Sequence, residues 1–259
     1  MKFFKGLFFV VSVWSFFFFG LQIAFGDSVF DERFEGAGYE EADWTESVGA
    51  GCTIDEDADV ADVSSPVNWG NQCMKIINDT QANYTYTSSG AAAVLYWRVE
   101  VMITAESLVN GEAAVIFETY NNALNAQAYG INFTQGGSGD YEFKIYSFHD
   151  GTGHFYTAFV EPALNTKYRI EVKWDATNDL WSWKIDGVVQ PNDQDSTSPV
   201  TTEGALTSTH ATDAGTIIIG TVYAPHAGYT CYYDLVECNT AEWVGAEPTG
   251  NGAALLMGM

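Results

Sequence analysis

Apolar and polar positions alternate with a period of two through most of this chain. The pattern is clearest from Lys167 to Val189, KYRIEVKWDATNDLWSWKIDGVV. Tyr168, Ile170, Val172 and Trp174 alternate with Lys167, Arg169, Glu171 and Lys173, and Trp181, Trp183 and Ile185 alternate with Ser182 and Lys184. A period of two puts one set on each face of a strand. Asp175-Ala-Thr-Asn-Asp179 joins the two arms as a polar turn, and Asp186-Gly187 offers a second tight turn. A twisted hairpin carrying three apolar-face tryptophans needs a second sheet to cover them, so the stretch predicts a β-sandwich.

Similar signals recur every eight to twelve residues from Cys73 onward, bounded by Gly, Asn, Asp and Ser. They predict strands near 73–78, 84–87, 93–103, 113–120, 129–134, 141–148, 154–160, 167–174, 180–189, 216–222 and 229–237, with a weaker first strand in VFDERFEG (29–36). No window of eleven or more residues carries a helical stripe, and abundant aromatics with few prolines suit strands. Tyr39 and Trp44 are expected to anchor the core near one end. Residues 190–215, rich in Thr, Ser and Asp, read as a long surface loop.

The N-terminus reads differently. Lys2 and Lys5 precede the apolar run Leu7–Leu21, and Ala24-Phe25-Gly26 follows as a small-x-small pattern before Asp27. This is the layout of a secretory signal peptide; the alternative is an uncleaved membrane anchor. The expected organisation is a signal peptide at 1–26, one jelly-roll domain at 27–245 and an apolar tail at 246–259 that could dock on the domain, contact a neighbouring subunit or stay unpacked. The expected location is extracellular or at the cell surface, with no membrane span in the mature chain.

The 259 residues hold 10 Lys+Arg and 34 Asp+Glu, a formal net charge of −24. Residues 1–26 contribute two lysines and no acid, so the mature chain carries 8 basic and 34 acidic side chains, net −26. Such a surface repels nucleic acid and anionic membranes. The acidic run Asp55, Asp57, Asp59 and Asp62 does not fit an EF-hand, because Val60 stands where Gly is required and Pro66 where the bidentate Glu belongs. It reads as a solvated loop.

The four cysteines are Cys52, Cys73, Cys231 and Cys238. An even count in an exported chain suggests disulfides, while a zinc site lacks both a CxxC pair and suitably spaced histidines. Cys231 and Cys238 flank one strand and can pair only if it bends back. Cys52 with Cys73 is the preferred pair. Asn78, Asn83 and Asn132 head Asn-x-Ser/Thr sequons, which matter where the source glycosylates.

FDERFEGAGYEEADW, the Lys167–Val189 hairpin, and GTIIIG followed by YYDLVEC resemble the laminin-G-like branch of the concanavalin A-like jelly rolls, over roughly residues 30–238. The resemblance implies an all-β sandwich of two curved antiparallel sheets, commonly with a polysaccharide on the concave face and calcium at the rim. It includes lectins, adhesion modules, hydrolases and lyases, so it does not select an activity. It implies Ca2+ at Glu35, in FEG, and at Asp234, in YYDLVE, with backbone oxygens completing a structural site.

On strand 93–103, Leu95, Trp97, Val99, Val101 and Ile103 take the core face, while Tyr96, Arg98, Glu100 and Met102 take the other. Glu118, Asn132, Lys144 and Tyr146 likewise face away from Phe117, Phe133, Phe143 and Ile145. If these strands are neighbours, Tyr96, Arg98, Glu100, Glu118, Asn132, Lys144 and Tyr146 form a carbohydrate-binding groove of aromatic faces, charges and an amide. The alternative is a solvent-facing surface with cross-strand Arg–Glu pairs.

The E-x-D-x-x-E pattern of laminarinase-like hydrolases is absent, and WRVEVMI offers one carboxylate where a glycosidase needs two. Arg98-Val-Glu100 and Tyr141-Glu-Phe-Lys144-Ile-Tyr146 are similar to two strands of alginate-lyase-like enzymes, whose Q-I-H strand has no counterpart. Arg98, Asn132, Lys144, Tyr146 and His149 could supply the residue types elimination needs. His154, His210 and His226 read as turn or loop residues. The expected function is a secreted, noncatalytic recognition module that binds a polysaccharide or glycoconjugate. The alternatives are a self-associating structural subunit of a coat or filament, and a polysaccharide lyase acting on a uronic-acid polymer.

Overall fold

The computed structural model describes residues 28–34, 44–59, 72–79, 81–90, 92–109, 111–148, 153–192, 204–205, 213–222 and 228–240. Residues 1–26, Glu35, Tyr39, Asp62, His149, His210, His226 and residues 246–259 lie outside the described residues.

Sixteen strands are described: β1 (Ser28–Glu32), β2 (Thr45–Ser47), β3 (Thr53–Asp59), β4 (Gln72–Asn78), β5 (Asn83–Ser88), β6 (Val94–Glu106), β7 (Ala113–Tyr120), β8 (Gln127–Gln135), β9 (Tyr141–Ser147), β10 (His154–Thr157), β11 (Lys167–Asp175), β12 (Leu180–Ile185), β13 (Val188–Val189), β14 (Gly204–Ala205), β15 (Thr216–Thr221) and β16 (Tyr229–Asn239). They form two antiparallel sheets packed as a jelly-roll sandwich. The nine-stranded sheet A runs β13-β12-β11-β6-β16-β4-β3, with β1 beside β16 and β14 beside β12. The seven-stranded sheet B runs β10-β9-β8-β7-β15-β5-β2.

The hairpin forms as its pattern requires. Val172 faces Trp183, Trp174 faces Trp181, and the Asp186-Gly187 turn joins β12 to β13 with φ of 50° and 81°. Trp97, Trp174, Trp181 and Trp183 are all buried between the sheets. Each of these side chains adds roughly 2–3 kcal/mol of burial. Two of the four indole edges are used as well: Trp97 Nε1 donates to the Ala214 carbonyl at 2.8 Å, and Trp183 Nε1 to that of Pro191 at 2.6 Å.

One irregularity bears on the site. In β7, Val115 pairs with Asn132 and Phe117 with Ile131, so Ile116 is an extra residue. This bulge leaves both Ile116 and Phe117 in the core and turns Glu118 to the outer face of sheet B. Two tyrosines from the opposite sheet hold it. Tyr229 donates its hydroxyl to the Val115 carbonyl and Tyr233 to the Ile116 carbonyl, each at 2.7 Å.

Three expectations change. Asp55 to Asp59 are not a loop: β3 is a strand paired with β4, and Asp55 stands opposite Lys75. A charged edge strand resists further pairing, which makes acids tolerable there. Cys52 and Cys73 are not bonded; all four cysteines are free thiols. Thr53 pairs with Ile77 while Cys73 pairs with Ala58, so the two cysteines sit near opposite ends of β4. Four strand residues span about 13 Å, beyond the ~7 Å a disulfide allows. Cys231 and Cys238 lie along one strand, β16, which excludes their pairing. A bulge between Tyr233 and Val236 shifts the register of β16 and puts both residues in the core on either side of Asp234 and Leu235.

The sequon asparagines are buried. Asn83 is fully buried and its Nδ2 donates to the carbonyls of Thr53 and Ile77, while Asn78 and Asn132 are 3% and 8% exposed. None of them presents an amide to a glycosylating enzyme in the folded domain.

Candidate functional site

The seven residues expected to share one groove divide between the two outer faces of the sandwich. Tyr96, Arg98 and Glu100 lie on β6 in sheet A, whereas Glu118, Asn132, Lys144 and Tyr146 lie on β7, β8 and β9 in sheet B. Alternation assigned each to a non-core face correctly, but β6 neighbours β11 and β16 rather than β7. The single groove is therefore not formed, and Arg98 cannot join Asn132, Lys144 and Tyr146 in one lyase-like constellation.

On sheet A the outer face is a ladder of alternating charge. Lys184 stands opposite Glu171, Glu171 opposite Arg98, and Arg98 opposite Glu237. In the next row Arg169 faces Glu100. Arg98 is 1% exposed and binds Glu100 at 2.7 Å; Lys167 also pairs with Glu100. Burial opposes the charge on Glu100, yet Lys167 and Arg98 together hold its pKa below the ordinary carboxylate value. Burial raises that of Glu171, partly offset by Arg169, Lys184 and Arg98. Tyr96 lies beneath the Lys173 ammonium, 5.8 Å from its ring centre. These charges pair across the strands, so this face is a cross-strand structural network.

Sheet B carries a different pattern. A single row crosses it: Phe155 on β10, Tyr146 on β9, Gly130 on β8, Glu118 on β7, Ile218 on β15, Tyr86 on β5 and Thr45 on β2, each paired in register with the next. One flank is aromatic. Tyr146 stacks on Phe155 with centroids 4.4 Å apart and planes 26° apart, and meets the edge of Phe148 at 4.6 Å. Phe155 is 55% exposed. The other flank holds Tyr84 and Tyr86, centroids 6.3 Å apart. Four strand spacings separate Tyr146 from Tyr86, about 19 Å.

Glu118 sits in the middle at 4% exposure. Its carboxyl accepts from Gln127 Nε2 at 3.1 Å and from the Tyr120 hydroxyl at 3.4 Å. Burial pushes its pKa up to about 7; the two hydrogen bonds offset part of that rise, and no cation contributes. Gly130 makes room for it. A Cβ at that position would meet both the Glu118 Cγ and Gln127 Nε2 at 3.2 Å. Asn132 and Lys144 pair in the next row, where Lys144 is bound to Glu142 at 2.7 Å. The face thus offers aromatic platforms at both ends, hydroxyls and an amide between them, and a carboxyl that gains a proton near neutrality.

Gly130, Gln127, Tyr120, Ile218, Tyr86 and Phe155 were not among the expected site residues. Alternation in NYTYTS and TIIIGT could have placed Tyr86 and Ile218 on a strand face, but nothing in the sequence set those strands beside β7.

The Ca2+ expected at Glu35 and Asp234 is not tested, because Glu35 lies outside the described residues. Asp234 is 9% exposed on β16, and β1 runs antiparallel to β16 from Ser28↔Asn239 to Glu32↔Val236, heading toward Asp234. Among the described residues no group of three or more His, Cys, Asp or Glu side chains could hold a metal ion.

These features define an all-β, two-sheet jelly roll with a structural charge ladder on one face and an aromatic-flanked polar row on the other. Solved structures with this architecture include the cellulose-induced protein Cip1, at 12% identity and TM-score 0.55, covering 84% of this chain and 99% of that one. The binding domain of botulinum neurotoxin DC in complex with rat synaptotagmin II matches at 8% identity and TM-score 0.52, covering 84% and 49%. A sialidase matches at 8% identity and TM-score 0.50, covering 77% and 17%. The chain thus spans about half of the toxin domain and a sixth of the sialidase. At such identities the likeness is one of fold. No protein-family model and no curated protein matches the sequence.

Proposed function

We propose that this chain is an exported, noncatalytic recognition module that binds a carbohydrate across the outer face of sheet B. The observation that carries the reading is the row Phe155–Tyr146–Gly130–Glu118–Ile218–Tyr86. Sugar rings have one apolar face and a rim of hydroxyls. Aromatic platforms about 19 Å apart, with polar groups between them, complement several consecutive rings. The leader-like residues 1–26 support export, and the net negative charge disfavours nucleic acid and anionic membranes as partners. A structural Ca2+ at Glu35 and Asp234 belongs to the same reading, supported by the direction in which β1 runs beside β16.

The test is thermal unfolding of residues 27–259 against a panel of neutral and acidic polysaccharides, with calcium or a chelator. A ligand bound only by the native state raises the melting temperature. Tyr146→Ala and Tyr86→Ala should abolish the rise, while Tyr96→Ala on the opposite sheet should preserve it. If no glycan shifts melting, or if Tyr96→Ala alone removes the shift, the reading fails. A fall in melting temperature with chelator, absent in Asp234→Asn, tests the calcium site.

A further inference from the structure

We propose that the ligand of sheet B is an uncharged glycan, and that Glu118 meets it as a carboxylic acid rather than a carboxylate. The inference rests on the carbohydrate-binding reading and narrows it to a ligand class.

The argument begins with where the cations are. Of the eight basic residues beyond position 26, Lys75, Arg98, Lys167, Arg169, Lys173 and Lys184 lie on β4, β6, β11 and β12, all in sheet A. Among the described residues, Lys144 is the one Lys or Arg on a strand of sheet B, where His154 opens β10. It is already held by Glu142 at 2.7 Å. A uronate or sulfated sugar laid across the row would find no cation without breaking that pair.

It would also meet Glu118 at the centre. The groups facing Glu118 are Tyr120 from its own strand, Gln127 and Gly130 from β8, and Ile218 from β15. The other titratable groups on the neighbouring strands are Tyr129 on β8, Tyr141, Glu142, Lys144 and Tyr146 on β9 and Tyr84 and Tyr86 on β5, and Tyr229 of β16 lies within electrostatic reach of Glu118. None of the groups packed directly against Glu118 is cationic, so a charge there is balanced by hydrogen bonds alone. Above pH 7, where Glu118 is ionised, an added anion would place a second negative charge in a buried, low-dielectric site, where the repulsion is strong. A sugar hydroxyl instead accepts a hydrogen bond from the carboxyl O–H, and Gln127 and Tyr120 still donate to the remaining lone pairs. The carboxyl thus acts as donor while it holds its proton, and affinity follows that proton.

The experiment is isothermal titration of residues 27–259 with cellohexaose, laminarihexaose and mannohexaose as neutral probes. Oligogalacturonate and oligoalginate serve as anionic probes. Each is run at pH 5.5 and pH 8.5, for the wild type and Glu118→Gln. The expected result is binding of at least one neutral probe and of neither anionic probe. Affinity for the neutral probe should weaken about thirtyfold between the two pH values, as the protonated fraction falls above pH 7. Glu118→Gln cannot ionise and should bind with affinity independent of pH; its fold is checked by near-ultraviolet circular dichroism. A wild-type affinity equal at both pH values, or preferential binding of an anionic probe, overturns this inference and leaves carbohydrate binding standing. Absence of binding by every probe at both pH values overturns both.

Discussion

Glu118 makes a quantitative prediction about stability that does not need a ligand. Its carboxyl is buried with no cation beside it, and its folded pKa stands near 7 against an ordinary value of 4.5. Between those two values the folded chain holds a proton that the unfolded chain has released. Stability therefore falls as pH rises through this window, and levels off above 7. At 1.36 kcal/mol for each pH unit, the span from 4.5 to about 7 corresponds to about 3 kcal/mol. Glu118→Gln keeps the shape and removes the titration. The stability of the variant relative to wild type should rise by about 3 kcal/mol between pH 4 and pH 8. For a domain of this size that is roughly 6–12 °C in melting temperature. The assay is urea unfolding of both proteins across pH 4–8.5. The difference between the two curves cancels the other acids, which titrate in both. Parallel profiles would refute the assignment of Glu118 as a buried, uncompensated acid.

Other outcomes follow from the same geometry. Arg98→Met leaves the buried Glu100 with Lys167 as its remaining cation and should cost about 1.5–3 kcal/mol in chemical denaturation, while leaving the affinity of sheet B for any glycan unchanged. Tyr233→Phe removes the donor to the Ile116 carbonyl. It should cost about 1–3 kcal/mol and also weaken glycan binding, because the bulge that aims Glu118 loses a support. A thiol reagent should label Cys52 alone in the native protein, since Cys73, Cys231 and Cys238 are buried, and should find four thiols after unfolding. Burial also pushes the Cys238 thiol up to about 12, which keeps it unreactive at neutral pH.

How far the sequence is legible follows from the range of each interaction. Strand positions depend on near neighbours, and alternation placed them well: the stretch read at 113–120 is β7, Ala113–Tyr120. The hairpin of β11 and β12 was legible down to its turns, because apolar and polar side chains alternate from Lys167 to Trp174 and again from Trp181 to Ile185. Sheet membership is a long-range property. Leu95 to Ile103 and Phe117 to Phe143 show the same in–out rhythm, yet β6 belongs to sheet A and β7 to sheet B. Three of the seven expected groove residues consequently face the other way. The strand β3 was missed because its pattern is dominated by acids, and it forms on the edge opposite Lys75, where pairing outweighs propensity. The burial of Glu118 was not legible either, since it needs Gly130 beneath it and Gln127 beside it.

The order of strands across the sheets also dictates an order in time. β16 lies between β6 and β4, and β15 between β7 and β5, so the last two strands made are the ones that join the earlier groups. Until residues 216–239 have been synthesised, β2 to β5 have no partner strand linking them to β6 to β13. Such distant pairings fold slowly, and the unpaired edges stay open to misassembly meanwhile. Chains stopped before residue 229 would never assemble the support for the β7 bulge. For a chain that emerges N-terminus first, the outer face of sheet B is the last part to mature, completed when the C-terminal strand threads into the middle of its sheet.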